Sequence, residues 1–269
     1  MVTSFELIKS FIDSANNQEC DFPLNNLPFG VCFEKGKQKK YFSATAIGDQ
    51  VLNLTHAEEL DLIPNLGFKG VLLNSFMSKG PSARKEIRKV LQDLLSDSSK
   101  KKSRVERCLL PLKNCLNGKA FNVSEYTDFY SCKNHALNAS KIIRGQNVEL
   151  SNNWYNLPVA YNGRASSVQI TGSDIRRPAG QIFDQDSGIV KFELTKKLDF
   201  ELEMGTVIGG SLPVGDTIDF DEAEDLIFGY VLLNDWSARD MQAWEYQPLG
   251  PFLSKSFGTS ISPWIIHQR

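Results

Sequence analysis

Leu198-Asp199-Phe200-Glu201-Leu202-Glu203-Met204 alternates apolar and acidic residues without interruption. Successive side chains leave a β-strand on opposite faces, so the pattern reads as a strand. Asp199, Glu201 and Glu203 then share one face, and Leu198, Phe200, Leu202 and Met204 share the other. Neighbouring carboxylates repel, more strongly when drawn out of water. A bound cation would turn that repulsion into a ligand set, because Ca²⁺ and Mg²⁺ take carboxylate oxygens. A sheet with one solvated face shows the same alternation. This stretch by itself leaves both readings open.

The surrounding chain has 269 residues, of which 41% are hydrophobic and 23% charged. That is enough apolar material for a buried core and too little charge bias for disorder. A net charge of −2 offers no global attraction to nucleic acid or to an anionic membrane. No apolar run approaches the roughly 18 residues of a membrane span. Met1 to Gln18 reads as a short amphipathic helix, since it lacks the basic start and cleavage site of a signal peptide. The five cysteines, Cys20, Cys32, Cys108, Cys115 and Cys132, contain no CxxC pair. They suggest neither a disulfide framework nor a zinc site, and the expected home is the reducing cytoplasm.

Up to about residue 118, short strands mix with helices. Tyr41 to Ile47, a Gly48-Asp49-Gln50 turn and Val51 to Leu54 read as a hairpin. A helix is expected from Ser82, with Ile87, Val90, Leu91, Leu94 and Leu95 at helical spacing. The basic runs Lys35 to Lys40 and Ser96 to Arg104 read as a hairpin tip and a solvated loop. Beyond residue 118, strands are expected at Val168 to Thr171, Gly188 to Phe192, Leu198 to Val207 and Leu226 to Asn234. A helix is expected at Ser131 to Ile143, capped by Ser131.

Three constellations in this second part carry chemical potential. Asp128 lies just before the helix that contains His135, the histidine set among dense polar and aromatic residues. It suits proton transfer near neutral pH, and equally a half-buried histidine bonded to backbone. Leu226 to Leu233 reads as a strand buried on both faces. Asp235 then leaves that strand, either as a functional acid or as a helix cap. In the following helix, Ala238 to Tyr246, the residues Arg239, Gln242 and Tyr246 share a face. Pro248 to Thr259 is a rigid and then glycine-containing segment. It could present Lys255, a backbone carbonyl and a hydroxyl to an anion or a second cation.

Asp-Phe-Pro-Leu-Asn-Asn-Leu-Pro-Phe-Gly-Val (21–31), Leu-Asn-Ser-Phe-Met (73–77) and Tyr-Thr-Asp-Phe-Tyr-Ser (126–131) resemble the fumarylacetoacetase family. So do Gly-Arg-Ala-Ser-Ser-Val (163–168), Ile-Arg-Arg-Pro (175–178) and Leu-Asp-Phe-Glu-Leu-Glu-Met (198–204). Asn-Asp-Trp-Ser-Ala-Arg-Asp (234–240), Trp-Glu-Tyr-Gln-Pro-Leu-Gly-Pro-Phe-Leu (244–253) and Lys-Ser-Phe-Gly-Thr (255–259) complete the match, in order and over nearly the whole chain.

The resemblance implies a mainly β fold with some α. An SH3-like β-barrel domain would occupy 1–118, and a fumarylacetoacetase-type β-roll catalytic domain, truncated at its C-terminus, would occupy 119–269. It implies a cytoplasmic homodimer acting on a small β-diketo acid, with no nucleic-acid or membrane partner. The reaction implied is hydrolysis of a carbon–carbon bond of 4-fumarylacetoacetate to fumarate and acetoacetate, the last step of tyrosine and phenylalanine catabolism. Carried over residue by residue, Ca²⁺ would be held by Asp128, Glu201, Glu203 and Asp235. Mg²⁺ would lie near Asp235, Lys255, Gly258 and Thr259. Substrate contacts would come from Tyr130, Arg144, Tyr161, Arg239, Gln242 and Tyr246. His135 would be the general base, and Arg239, Gln242 and Lys255 would donate to the oxyanion. Asp199 matches its block without being a ligand and reads as a bystander to the metal, its charge exposed or paired elsewhere.

The family chain continues well beyond Trp264. Its remainder carries more of the β-roll, a glutamate that orients the catalytic histidine and a threonine that contacts substrate. Without that glutamate His135 lacks the partner that sets its tautomer and basicity, so little or no turnover is expected of the chain as written. The strand around Trp264 to Ile266 is likewise expected to lose neighbours and present an apolar edge. Asn162 stands where the family usually has histidine. The alternatives are a non-catalytic form acting only as a dimerisation partner, and another β-diketone or acylpyruvate hydrolase of the same family.

Overall fold

The computed structural model describes residues 6–145 and 149–267. These divide into two compact units, one of 6–122, 204–231 and 262–267, the other of 123–145, 149–203 and 232–261. The fold is a mixture of sheets and helices. Among the described residues no helix is long and apolar enough to cross a membrane.

The first unit is built on five antiparallel strands: β1 (Phe29–Glu34), β2 (Phe42–Ile47), β3 (Gln50–Asn53), β4 (Leu109–Pro111) and β5 (Cys115–Gly118). Their order is β4-β3-β2-β1-β5, so strand pairing leaves the sheet open at β4 and β5. The expected hairpin is present, with Ile47 opposite Gln50 across a Gly48-Asp49 loop. Gly48 has φ +55°, and a Cβ there would also meet Ala15 N at 2.8 Å. Only glycine satisfies both demands. The basic run 35–40 is the exposed β1–β2 tip.

The helix Gly80–Leu95 starts two residues earlier than expected, because Pro81 is well suited to a first helical turn. It buries Ile87, Leu91, Leu94 and Leu95. The 96–104 segment is not wholly loop, since a short helix spans Lys102–Val105. The expected N-terminal helix over Met1 to Gln18 is not found. Residues 1–5 lie outside the described residues, and 6–18 contain only a 3-10 turn, Asp13–Asn16. Packing of this unit centres on Phe29, Phe68, Phe76 and Phe228, all fully buried, with ring centroids 4.9 Å (Phe68–Phe76) to 6.3 Å (Phe29–Phe68) apart.

In the second unit, β6 (Thr127–Phe129) pairs with β7 (Ala160–Asn162), placing Asp128 opposite Tyr161. Behind Tyr126, Gly163 leaves room for the tyrosine ring, which any Cβ would strike. β8 (Val168–Ile170) pairs further along, and β9 (Ala179–Asp184) forms a hairpin with β10 (Ile189–Leu194). The acidic stretch is two strands, β11 (Leu198–Asp199) and β12 (Leu202–Ile208), not the single strand expected. At the break, Asn234 Oδ1 accepts the Glu201 N–H and the Glu201 carbonyl accepts the Asp235 N–H.

The apolar run forms β13 (Ile227–Asp235), but Leu232 is exposed, so it is not buried on both faces throughout. Asp235 is its last residue and caps no helix. β14 (Ser237–Ala238) intervenes and pairs with β11 before the helix Arg239–Glu245 begins. β15 (Thr259–Ile261) runs antiparallel to the end of β13, with Asp235 opposite Thr259, and parallel to β8. The helix after β6 is Lys133–Arg144. Its cap position is Cys132, with no side-chain hydrogen bond, so the Ser131 cap is not realised.

Back in the first unit, β16 (Ile266–His267) supplies neighbours at the other end of β13, where Gly229 faces His267. His267 packs edge-on against Phe29 and Phe228. Burial, reinforced by the charges of Arg88 and Arg84, pushes its pKa from 6.5 down to about 4. The folded chain thus keeps it neutral where the unfolded chain takes up a proton. Its contribution is intact above pH 6.5 and is lost as the pH falls towards 4, up to about 3 kcal/mol. We expect His267→Phe to flatten the acid limb of stability across that window, read as urea midpoint against pH. An acid limb equally steep in the variant would exclude His267 as its source.

Candidate active site

All the predicted site residues fall in the second unit, and they arrive from separate elements along the chain. Asp128 lies in β6 and Tyr161 opposite it in β7. His135 occupies the first turn of Lys133–Arg144. Glu201 sits in the β11–β12 break and Glu203 in β12. Asp235 ends β13, and Arg239 and Gln242 lie on the next helix. Lys255 lies in the short helix Leu253–Ser256.

The acidic stretch is inverted relative to a sheet with a wet face. Phe200, Leu202 and Met204 are 63%, 74% and 68% exposed, whereas Glu201 is 7% exposed. The carboxylates therefore point inward. Lys255 Nζ donates to Glu201 Oε2 (2.6 Å) and to Asp235 Oδ2 (2.8 Å). Arg239 Nη2 donates to Glu201 Oε1 (2.7 Å), and its Nη1 to Gln242 Oε1 (2.9 Å). The Tyr161 hydroxyl lies 2.5 Å from Asp235 Oδ2 and 3.0 Å from Asp128 Oδ2, one proton between two carboxylates. His135 Nε2 stands 3.7 Å from Glu201 Oε1, outside hydrogen-bond range. Asp199, expected to be a bystander, accepts from Arg239 Nε at 2.9 Å.

The remaining predicted residues are spread around this centre. The Tyr130 hydroxyl donates to the Ala136 carbonyl (2.8 Å), and its ring meets His135 edge-on. The Arg144 guanidinium lies 5.8 Å from the Tyr246 ring centroid. Tyr246 falls just after the helix, so of the expected stripe it is Arg239 and Gln242 that pair directly. The buried Thr259 hydroxyl bonds the Tyr126 hydroxyl at 3.1 Å. Gly258 is buried, with Ile175 where a Cβ would be, at 2.8 Å. A cavity of about 430 Å³ opens beside Tyr161, lined also by Thr127, Ala160, Asn162, Leu249 and Pro251. The acidic ligands do not line it; Tyr161 is the link between cavity and carboxylates.

Several supporting residues carry no local sequence signal. Glu245 Oε1 accepts the Phe252 and Ser254 N–H groups at 2.9 and 2.8 Å, holding the turn that bears Lys255. Asp240 accepts from the Thr195 hydroxyl and the Lys196 N–H, fixing the start of the Arg239–Glu245 helix. Tyr126 and Asn234 likewise become visible only through their partners.

The charge balance fits a cation. Burial and the nearby Asp128, Glu201 and Asp235 push Glu203 up to about 9. Burial and Asp235 push Asp128 up to about 7. For Glu201, burial is outweighed by Lys255 and Arg239, and its pKa falls. Lys255 shows the reverse, with Asp235 and Glu201 outweighing burial to raise it. Two ammonium-type charges thus satisfy Glu201 and part of Asp235, while Glu203 and Asp128 remain short of positive charge. Asp235 Oδ1 is buried with no hydrogen-bond partner. An orphaned buried carboxylate oxygen is costly unless something binds it. The ligand atoms of His135, Glu201 and Glu203 lie within 4.8 Å of one another. A hard divalent cation suits this oxygen-rich donor set.

The geometry defines a buried acidic centre able to hold a metal, flanked by fixed cationic donors. Two family profiles cover the chain: "Fumarylacetoacetase N-terminal" over residues 25–117 and "Fumarylacetoacetate (FAA) hydrolase C-terminal" over 125–269. The chain is 43% identical to a fumarylacetoacetase of Arabidopsis thaliana over 97% of its own length, and 44% identical to that of Bos taurus over 96%. In each case it spans 63% of the relative. A fumarylacetoacetate hydrolase from Exiguobacterium antarcticum shares the fold with a TM-score of 0.50 at 15% identity, over 90% of this chain and 66% of that one. This chain belongs to the fumarylacetoacetate hydrolase family.

Burial and the neighbouring carboxylates raise the pKa of Glu203 and of Asp128, so a divalent cation binding there would displace protons from them. Calorimetry at pH 7 in buffers of different ionisation enthalpy should show proton release, with affinity rising towards pH 9. Glu203→Gln should abolish about one released proton and weaken Ca²⁺ at least about tenfold. Unchanged affinity in that variant would remove Glu203 from the ligand set.

Proposed function

We propose that this chain carries the metal and oxyanion-binding apparatus of a fumarylacetoacetase, hydrolysing 4-fumarylacetoacetate to fumarate and acetoacetate. The observation that carries the reading is the four-carboxylate cluster with Lys255 bridging Glu201 and Asp235 and Asp235 Oδ1 left unpaired. Asp128, Glu201, Glu203 and Asp235 would hold Ca²⁺. Mg²⁺ would lie near Asp235, Lys255, Gly258 and Thr259. When bound, a hard cation supplies chelation of a β-diketone's two oxygens and polarises its carbonyls.

The protein's own groups do the rest. His135 has a third of its side chain open to solvent, so its imidazole can take a proton from an attacking water. The tetrahedral oxyanion then needs donors, and Arg239, Gln242 and Lys255 are grouped to supply them. Their positions are set before substrate arrives, by mutual hydrogen bonds and by the Glu245 and Asp240 anchors. Cleavage expels the acetoacetate carbon as an enolate, and protonated His135 can return the proton. Arg144, Tyr130, Tyr161 and Tyr246 would hold the substrate's carboxylate ends.

The same reading takes 1–118 as an SH3-like barrel domain and 119–269 as the β-roll catalytic domain of a cytoplasmic homodimer. Five unpaired cysteines accord with that compartment. The test is fumarate release from 4-fumarylacetoacetate by the purified chain with Ca²⁺ and Mg²⁺. The expected result is slow release, stopped by a chelator and lowered at least about 100-fold by His135→Ala. Lys255→Met should lower it about 100- to 1,000-fold. Release that survives the chelator would defeat the metal reading. Tight Ca²⁺ binding with no fumarate would defeat the hydrolase reading.

A further inference from the structure

We propose that Asp199 is a positioning residue. Its carboxylate fixes the Arg239 guanidinium and shares its charge, so that Glu201 stays available to a divalent cation. The link to a cation rests on the metal-centre reading above; the hold on Arg239 does not.

Arg239 is only 6% exposed in its side chain, and each of its three guanidinium nitrogens meets a different acceptor. Nε donates to Asp199, Nη1 to Gln242 and Nη2 to Glu201. A guanidinium is planar, so three bonds in three directions fix both its position and its rotation. The backbone keeps Asp199 and Arg239 close together. Asp199 is locked in β11 opposite Ser237, two residues before Arg239, and the Arg239 N–H donates to the Lys197 carbonyl at 2.9 Å.

Both Asp199 oxygens are already in use. Oδ2 takes Arg239 Nε, and Oδ1 accepts the Phe200 N–H at 2.9 Å. Asp199 is thus turned towards Arg239 and its own backbone, although it shares the acidic stretch with two candidate ligands. Its side chain is 34% exposed against 6% for Glu201, so it forms the solvent end of a chain of charges. That chain runs Asp199, Arg239, Glu201, Lys255, Asp235. Without Asp199, the Arg239 charge would fall on Glu201 alone, in addition to its share of Lys255, and a carboxylate so neutralised is a poor metal ligand.

Asp199→Asn keeps the shape and removes the charge, and Asp199→Glu restores the charge. Two readouts apply, after melting curves establish that each variant is folded. The first is the ¹⁵N signal of the Arg239 Nε–H, assigned by its absence in Arg239→Lys. It should exchange slowly with water in the unaltered chain, at least about tenfold faster in Asp199→Asn, and slowly again in Asp199→Glu. The second is Ca²⁺ affinity by calorimetry. Asp199→Asn should weaken it on the order of tenfold, Asp199→Glu by much less, and Asp199→Asn in an Arg239→Gln background by much less. A protected Nε–H in Asp199→Asn would overturn the proposal. So would an equal loss of affinity in the Arg239→Gln background, since Asp199 would then act through its own field. No Ca²⁺ binding by the unaltered chain would defeat the metal-centre reading and, with it, the link to Glu201. The Nε–H signal would still decide whether Asp199 holds Arg239.

Discussion

The Lys255 ammonium between Glu201 and Asp235 is the contact on which the site depends. Buried carboxylates are tolerated only when charge and hydrogen bonds compensate their lost hydration. Lys255 supplies that compensation for two acids that the chain places 34 positions apart. Arg239 supplies it for the far side of Glu201. Removing either cation would leave a desolvated carboxylate under-compensated, a costly defect. The cluster is still short of positive charge, as the raised Glu203 and Asp128 show. A divalent cation would complete the same balance that the lysine begins.

The fold delivers these groups by interrupting its strands. The acidic stretch breaks at Phe200 and Glu201, and the break lets Asp199 and Glu201 reach the same guanidinium. Residues adjacent in an unbroken strand with one intervening position would only stand side by side on one face. Asp235 ends a strand whose partner across the ladder is Thr259, which brings the Lys255 turn alongside. Glu245 then ties that turn to the helix carrying Arg239 and Gln242. Arg239, Gln242 and Lys255, the donors of the proposed reaction, thus depend on two short helices and the Glu245 anchor between them. Such preorganisation lets donors act without reorganising as charge develops.

Much of the fold was legible from local pattern. The β2–β3 hairpin was marked by Gly48, and the Gly80–Leu95 helix by its apolar spacing, because turn geometry and helical period are short-range constraints. Boundaries fared worse. The Ser131 cap failed because a cap needs a particular backbone geometry, and the expected helix is absent over 6–18 because this segment bonds to distant chain instead, Ile8 N–H to Asn25 and the Ser10 hydroxyl to the Leu95 carbonyl. Leu232 is exposed within an apolar run, which composition alone cannot show. The four-carboxylate set came from resemblance, not from spacing, since Asp128 and Asp235 lie far from Glu201 in sequence.

Taken by itself, the sequence determined the family, the acid-rich strand region and the residue types available for metal and oxyanion chemistry. These are properties of local order and composition. The tertiary structure alone decided which way the acids face. Alternation has the same period whether the polar side is wet or buried, and only the partners across the gap distinguish the cases. Arg239 and Lys255 are those partners, so Glu201 points inward and Phe200 and Leu202 outward. The same long-range contacts turned Asp199 from a bystander into the acid that grips Arg239.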